Sequence, residues 1–396
     1  MNKRANVFIF SPLALENGRG GEISSMELAS GLQKYYDITL MDTNIIFGKK
    51  MLSQSVINKK LKGIRRDKRM RFATFKFFNK IFTFPYPWEI LKLYRRVKKH
   101  EIIYTSSSTI KFDIILIFLS LIHRKSKFII GFRKPLHSEK IFSIYNLKYR
   151  ISILLFSLFQ KRFYFHTISE HAKKYLERFY NPKNIFHIIH GVVLKAFIEV
   201  TNEKKQFDTL NFIYVGYIDD VHKGVNVLLD GIQKFIDENK NLKVFFEFCG
   251  GGPLVPQIIK LQNRYPEHVK YNGYISNDRI HSFYKRNDVF LFTSRREPFG
   301  RVIIEALASR LVIICTKTFG SNEILRNKEF AFFLEKLDSD TIKNKIYATY
   351  NLWKEKNEKF RELQNEAKNY AIENYSFSRE LELFKSLIDW LTKNKN

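Results

Sequence analysis

Residues 288–308 read Asp288-Val289-Phe290-Leu291-Phe292-Thr293-Ser294-Arg295-Arg296-Glu297-Pro298-Phe299-Gly300-Arg301-Val302-Ile303-Ile304-Glu305-Ala306-Leu307-Ala308. The run up to Thr293 is apolar and β-prone, a buried strand. After Gly300, Val302, Ile303, Ala306 and Leu307 recur at helical spacing. Pro298 suits the first turn of a helix, where its missing N–H costs nothing. Gly300 lets the backbone come close to a ligand. A helix starting here aims unpaired amides and a positive dipole end beyond the strand ends, a site for phosphate.

Glu297 and Glu305 flank that anion site. A carboxylate repels a diphosphate, but it accepts hydrogen bonds from hydroxyls, and a vicinal diol can engage both its oxygens. Phosphate on the helix start with diols on either side describes a nucleotide sugar, Glu305 holding the ribose and Glu297 the transferred sugar. Taken alone, the pair has another reading: one acid complementing the helix dipole and one exposed on the next face.

The words around the pair read Glu-Pro-Phe-Gly-x-x-x-x-Glu-Ala-x-Ala, with 7 residues between the glutamates. This closely resembles the signature of glycosyltransferase family 4, of the glycosyl transferases group 1 type. The resemblance implies retaining, nucleotide-sugar-dependent chemistry on an α/β chain of the GT-B fold. Such a chain has two facing Rossmann-like, doubly wound domains with an interdomain cleft. Here residues 1–194 would bind the acceptor and 195–377 the nucleotide sugar. A final helix, within 378–396, would cross back to the first domain.

The chain has 396 residues, 45% of them apolar, enough for two cores. Its net charge of +29 must meet something anionic: nucleic acid, a membrane face or a phosphorylated substrate. Cys249 and Cys315 lie in apolar strand contexts and read as core thiols, which fits a reducing compartment. The start, Met1-Asn2-Lys3-Arg4, leads into an apolar run too short for an export signal. The longest apolar runs, Ile114 to Ile122 and Ile151 to Phe159, are about half of the roughly 20 residues that a span requires. The expectation is a soluble cytoplasmic protein, peripheral on the inner face of the cell membrane.

Val7 to Phe10 is a first strand, followed by the glycines Gly18, Gly20 and Gly21 and a helix over Ile23 to Leu32. The Gly-Gly-Glu pattern resembles the first loop of family 4 enzymes, beside the diphosphate and acceptor. Lys49 to Lys80 holds 12 basic residues and one acid, Asp67, with phenylalanines interleaved at its far end. The composition suits an interfacial helix on anionic lipid. It is also compatible with nucleic-acid phosphates, although no RNA-binding signature or zinc-finger spacing supports that partner. A charged helix with core phenylalanines is the third reading. Strands over Glu101 to Thr105 and Lys127 to Gly131 enclose a helix from Phe112 to Arg124, and Ile151 to Phe163 reads as another helix. Relatives carry a histidine just after the second of these strands, near the transferred sugar. Here Phe132 and Arg133 come first, and His137 is the candidate. His190-Gly191-Val192 stands where the family commonly has Asn-Gly-Val.

Lys195 to Leu210 reads as the interdomain link. Beyond it, Gly216-Tyr217 through Lys223-Gly224 is again family-like. A cation in this loop can steady the negative charge that a nucleoside diphosphate gains as it departs. Relatives place arginine where Tyr217 stands, so Arg295, Arg296 or Arg301 must supply that charge, or donor affinity falls, or the enzyme is impaired. The loop containing Gly251 and that of Tyr274 and Ile275 approach the nucleotide in the family. The proposed step is front-side transfer through Lys223, Glu297 and the Phe299 to Val302 amides, with no cofactor and no metal. The donor is a nucleotide sugar, and the acceptor a glycan or lipid-linked precursor at a membrane face. The alternatives are a nucleotide-sugar epimerase or phosphorylase of related fold, and a non-catalytic basic protein binding membrane or nucleic acid.

Overall fold

The computed structural model describes residues 4–17, 20–45, 52–77, 80–106, 110–123, 125–132, 144–159, 163–199, 208–297 and 299–393. Its contacts divide the chain into two units, Met1–Ile189 with Leu381–Asn396, and His190–Glu380.

In the first unit the elements run β1 (Asn6–Phe10), α1 (Gly20–Leu32), β2 (Asp37–Met41), α2 (Gln54–Lys60), β3 (Arg65–Arg66), β4 (Phe72–Phe77), β5 (Lys80–Pro85), α3 (Pro87–Val97) and β6 (Ile102–Thr105). They continue through α4 (Ile110–Ile122), β7 (Lys127–Phe132), α5 (Ile144–Leu158), β8 (Phe163–Thr167), α6 (Glu170–Leu176) and β9 (Ile185–His187). Seven strands form a parallel sheet in the order β3-β2-β1-β6-β7-β8-β9. Successive strand residues point to opposite faces. Phe8 and Phe10 join a core with Leu93, Leu116 and Phe156 from α3, α4 and α5. Val7 and Ile9 pack on the other face with Met26, Phe384 and Leu387. Burial on both faces is why these strands read as continuous apolar runs.

Two expectations fail here. No single interfacial helix spans Lys49 to Lys80: the described part forms α2, β3 and an antiparallel hairpin of β4 and β5. The runs Phe72-Ala73-Thr74-Phe75-Lys76-Phe77 and Lys80-Ile81-Phe82-Thr83-Phe84-Pro85 are rich in β-prone residues and only two residues apart, which is hairpin spacing. Phe72 is buried, edge-to-face with Phe112 at 5.2 Å. Arg69 turns inward to Glu16 and Asp42. The helix expected over Ile151 to Phe163 begins earlier and ends at Leu158, because Phe163 opens β8, paired with Phe128. Lys49, Lys50, Pro298, Arg133 and His137 lie outside the described residues.

The second unit runs α7 (Lys195–Ile198), β10 (Leu210–Val215), α8 (Val225–Glu238), β11 (Val244–Cys249), α9 (Val255–Arg264), β12 (Val269–Tyr271), α10 (Ile280–Lys285) and β13 (Val289–Phe292). There follow α11 (Arg301–Ala308), β14 (Val312–Cys315), α12 (Phe319–Leu325), β15 (Ala331–Phe333), α13 (Ser339–Glu355), α14 (Asn357–Tyr375) and α15 (Phe377–Lys393). Its parallel sheet has the order β12-β11-β10-β13-β14-β15. The first part of the expected link is folded: Phe197 in α7 is buried, edge-to-face with Tyr284 at 5.8 Å. Cys249 and Cys315 are free and buried, and burial pushes the Cys249 thiol up to about 12. From Leu381 onward α15 belongs to the first unit, where Phe384, Leu387 and Leu391 are buried and the Tyr36 hydroxyl donates to Asp389 at 2.6 Å.

Candidate active site

A doubly wound sheet leaves a crevice where its strand order reverses, beyond the carboxyl ends of the two strands concerned. In the second unit that point lies between β10 and β13. The loops leaving these strands hold Gly216 to Gly224 and Thr293 to Gly300, the two stretches singled out in the sequence.

The two loops are stitched together. Lys223 N donates to Asp219 Oδ1 at 3.0 Å, and His222 Nδ1 lies 2.6 Å from Asp219 Oδ2. The Thr293 hydroxyl donates to Lys223 O at 2.8 Å, and Arg295 N to His222 O at 2.8 Å. Gly224 has φ +63°, and a Cβ there would stand 2.7 Å from Thr293 O. The loops close to this distance because position 224 carries no side chain. The result places Lys223 Nζ 2.6 Å from Glu297 Oε2.

Gly300, at φ +96°, turns the chain into α11. Phe299 is buried beside the rings of His190 at 5.4 Å and Tyr375 at 6.1 Å, which anchors the turn. Gly320 N donates to Glu297 O at 3.0 Å. A Cβ on Gly320 would stand 2.1 Å from Phe299 O, so α12 also approaches this turn through a glycine. Along α11, Glu305 pairs with Arg301 at 3.3 Å and accepts from the Tyr284 hydroxyl at 3.3 Å. Burial, and then Glu305 itself, hold the Tyr284 phenol well above its ordinary value, so it stays protonated as a donor.

The loops after β11 and β12 complete the same end of the sheet. Ile218 N donates to Gly251 O at 3.0 Å and Gly250 N to Gly273 O at 2.8 Å. Nothing stands within 4 Å of where a Cβ on Gly251 would be, so backbone there is open to a close approach. Tyr274 and Ile275 follow Gly273, and the Tyr274 side chain is exposed. Tyr217 is 59% exposed, while its carbonyl accepts from the Tyr214 hydroxyl at 2.9 Å. Of the three arginines weighed against Tyr217, Arg295 reaches Asp220 at 3.3 Å and Arg301 reaches Glu305. The Arg296 side chain is exposed and makes no ion pair among the described residues.

Lys223, Glu297, Phe299, Gly300, Arg301, Val302 and Glu305 thus come together on two loops and one helix, with Gly216, Tyr217, Gly251, Tyr274 and Ile275 at the same end of the sheet. Gly20 and Gly21 are the first residues of α1 in the first unit, where a helix start was expected three residues later. Asp219 and Tyr284 escaped the sequence reading. Asp219 had a local signal, an aspartate whose side chain caps amides a few residues on. Tyr284 had none, because its partner lies 21 residues away. Chemically, the start of α11 and Lys223 offer positive charge, and the two glutamates offer paired acceptors for hydroxyls.

Comparison with known proteins locates the likeness. The chain is 27% identical over 185 residues to the phosphatidylinositol N-acetylglucosaminyltransferase gpi3 subunit of Schizosaccharomyces pombe, covering 46% of this chain and 39% of that one. It is 30% identical over 162 residues to the capsular polysaccharide biosynthesis glycosyltransferase CapM of Staphylococcus aureus, covering 38% and 40%. The chain therefore matches well under half the length of these relatives. In structure it resembles Anabaena Alr3699/HepE, solved with UDP, at a TM-score of 0.74 and 15% identity, covering 98% of this chain and 100% of that one. A glycosyltransferase from Rickettsia africae gives a TM-score of 0.74 at 17% identity over 100% of both chains. Whole-chain likeness of this kind establishes the fold, GT-B, two doubly wound α/β units in one chain. Residues 198–371, which carry Lys223, both glutamates and α11, match the family described as glycosyl transferases group 1.

Proposed function

We propose that the chain is a retaining glycosyltransferase that moves a sugar from a nucleotide-diphosphate donor to a glycan or lipid-linked acceptor at a membrane face. One observation carries this reading: Lys223 and Glu297 meet at 2.6 Å beside the start of α11, on which Glu305 also stands. Cation and helix amides suit a diphosphate, and carboxylates suit the sugar hydroxyls on either side of it. Glu305 takes the ribose, Glu297 the transferred sugar, and the Phe299 to Val302 amides the diphosphate. Arg296 supplies the charge absent at Tyr217, since Arg295 and Arg301 are already engaged. Gly20, Gly21 and His137 are assigned to the acceptor and sugar side by the same reading.

In the step itself, the acceptor oxygen attacks the anomeric carbon on the face from which the donor phosphate leaves. The bond from that carbon to the phosphate oxygen breaks, and its electron pair stays on the phosphate. The phosphate oxygen takes the proton of the attacking hydroxyl. Lys223 and the amides stabilise the charge that grows on this oxygen. No metal ion takes part in the proposed step. The names of two relatives, one acting on phosphatidylinositol and one in capsular polysaccharide biosynthesis, support a lipid-linked or cell-surface acceptor.

Mass spectrometry of the purified chain with a panel of nucleotide sugars and a lipid-linked glycan fraction tests the proposal. The expected products are an acceptor heavier by one sugar and free nucleoside diphosphate, with the anomeric configuration kept in the NMR spectrum. A nucleotide sugar changed in configuration but not in mass marks an epimerase instead. Transfer that survives both Lys223→Ala and Glu305→Ala contradicts the assignment of this site.

A further inference from the structure

Helices α3, α4 and α5 lie side by side on one face of the first unit's sheet. The Tyr94 and His123 rings stack at 4.5 Å between the first two, and α4 packs along α5. Their inner sides fill the core through Leu93, Leu116 and Phe156. Their outer sides are apolar as well: Trp88, Leu91, Ile114, Phe118, Leu154 and Leu158 are each between 52 and 68% exposed. A surface helix ordinarily turns polar residues outward. On α4 the outward positions Ile114, Phe118, Leu121 and Ile122 are all aliphatic or aromatic. An exposed apolar tract of this extent marks an interaction surface.

The charge around it selects the occupant. The three helices carry only two carboxylates, Glu89 and Asp113, and both are buried. On α3 the stripe of Trp88 and Leu91 continues through exposed Arg95 and then Lys98 and Lys99, at spacings of three and four residues. Exposed Lys125 stands three residues past Ile122 on the α4 side. Apolar side chains flanked by cations, with no exposed acid on the helices, are complementary to acyl chains beneath anionic headgroups. A protein partner's apolar patch would not require helices that present cations and no exposed acid.

We infer that the outer face of α3, α4 and α5 is a membrane-docking surface that seats the first unit on an anionic lipid bilayer. It replaces the Lys49 to Lys80 segment as the lipid-facing region. The inference extends the membrane-face part of the proposed function, yet it uses none of the sugar-site residues, so the two can fail separately.

The test is co-sedimentation of the full chain with vesicles of phosphatidylcholine, with and without phosphatidylglycerol. Binding is expected to the anionic vesicles and to weaken with salt. Phe118→Ser with Leu154→Ser and Leu158→Ser should lower it by about tenfold or more, since each replaces an apolar side chain that enters the acyl region. Arg95→Gln with Lys98→Gln and Lys99→Gln should lower it by about a hundredfold, at about fivefold per cation near an anionic surface. Lys59→Gln with Lys60→Gln and Lys62→Gln, on and just after α2, should change it less than either. A loss of binding in that α2 variant with none in the α4 and α5 variant overturns the inference. So does a stable dimer in gel filtration that the α4 and α5 exchange disperses, with no vesicle binding by either form.

A second readout avoids dependence on those exchanges. With Trp353→Phe and Trp390→Phe, Trp88 is the remaining tryptophan. Its emission should shift to the blue on anionic vesicles and be quenched by brominated acyl chains. Unchanged emission while the protein is vesicle-bound overturns the inference. Thermal stabilisation by a nucleotide sugar should be the same in wild type and in all the surface variants. Its absence in all of them would fault the sugar-site reading and leave the docking surface standing.

Discussion

Each unit gathers acids and cations at the carboxyl ends of its strands, but the two clusters are built differently. In the first unit, Glu16 and Asp42 share one guanidinium, that of Arg69, and Asp42 also accepts from Leu15 N at 3.0 Å. In the second, Glu297 has Lys223 and Glu305 has Arg301. Asp42 and Glu16 expose 3 and 8% of their side chains, whereas Glu297 and Glu305 expose 18 and 14%. Burial pushes the Asp42 carboxyl above its ordinary range, against the pull of Leu15 and Arg69. The contrast separates a clamp from a site. The first cluster fastens the Arg69 segment to β2 and cannot lose its cation cheaply. The second keeps its charged groups partly wet, so a ligand can displace the Lys223 and Glu297 pairing and take over both of those side chains.

If that distinction holds, substitutions should divide cleanly between activity and stability. Lys223→Ala should lower turnover by about 10²–10³-fold, the usual effect of removing one stabiliser of transition-state charge. It should leave the melting temperature near the wild-type value, because Glu297 remains partly solvated. A large loss of stability would make Lys223 a structural group. Arg69→Ala should do the reverse. Stranding two buried acids costs about 3 kcal/mol, or about 6–12 °C in the melting of a unit this size, followed by differential scanning calorimetry. Donor binding to the second unit should persist.

Tyr284→Phe sharpens the picture within the second unit. It removes one hydrogen bond to Glu305, worth about 1 kcal/mol, so KM for the donor should rise about fivefold with kcat little changed. The smallest effect is expected at the far end of α11, where Arg310 sits at φ +66° just past the helix. Arg310→Gly relieves that left-handed strain and should raise stability by about 0.5–1 kcal/mol in urea unfolding, with activity unchanged.

Much of the architecture was legible because the strands are buried on both faces. Val7 to Phe10, Phe128 to Phe132 and Val289 to Phe292 stand out as unbroken apolar runs in a charged chain. The hairpin of β4 and β5 is hard to read from the sequence because lysine and arginine crowd the segment that leads into it. Within the site, Glu297, Gly300 and Glu305 could be found from local spacing alone. Their long-range contacts could not. Lys223 is 74 residues from Glu297, and Gly320 owes its role to the Phe299 carbonyl, a contact only the fold creates. Arg310 likewise shows itself only in the structure, as a left-handed residue where glycine would be unstrained.

The most direct measurement is calorimetric titration of the intact chain with uridine- and guanosine-diphosphate sugars, repeated on Lys223→Ala and Glu305→Gln. The account predicts that one donor binds the wild type, and that each variant weakens that binding at least tenfold while remaining folded by circular dichroism. Binding of equal strength in all three proteins would contradict it.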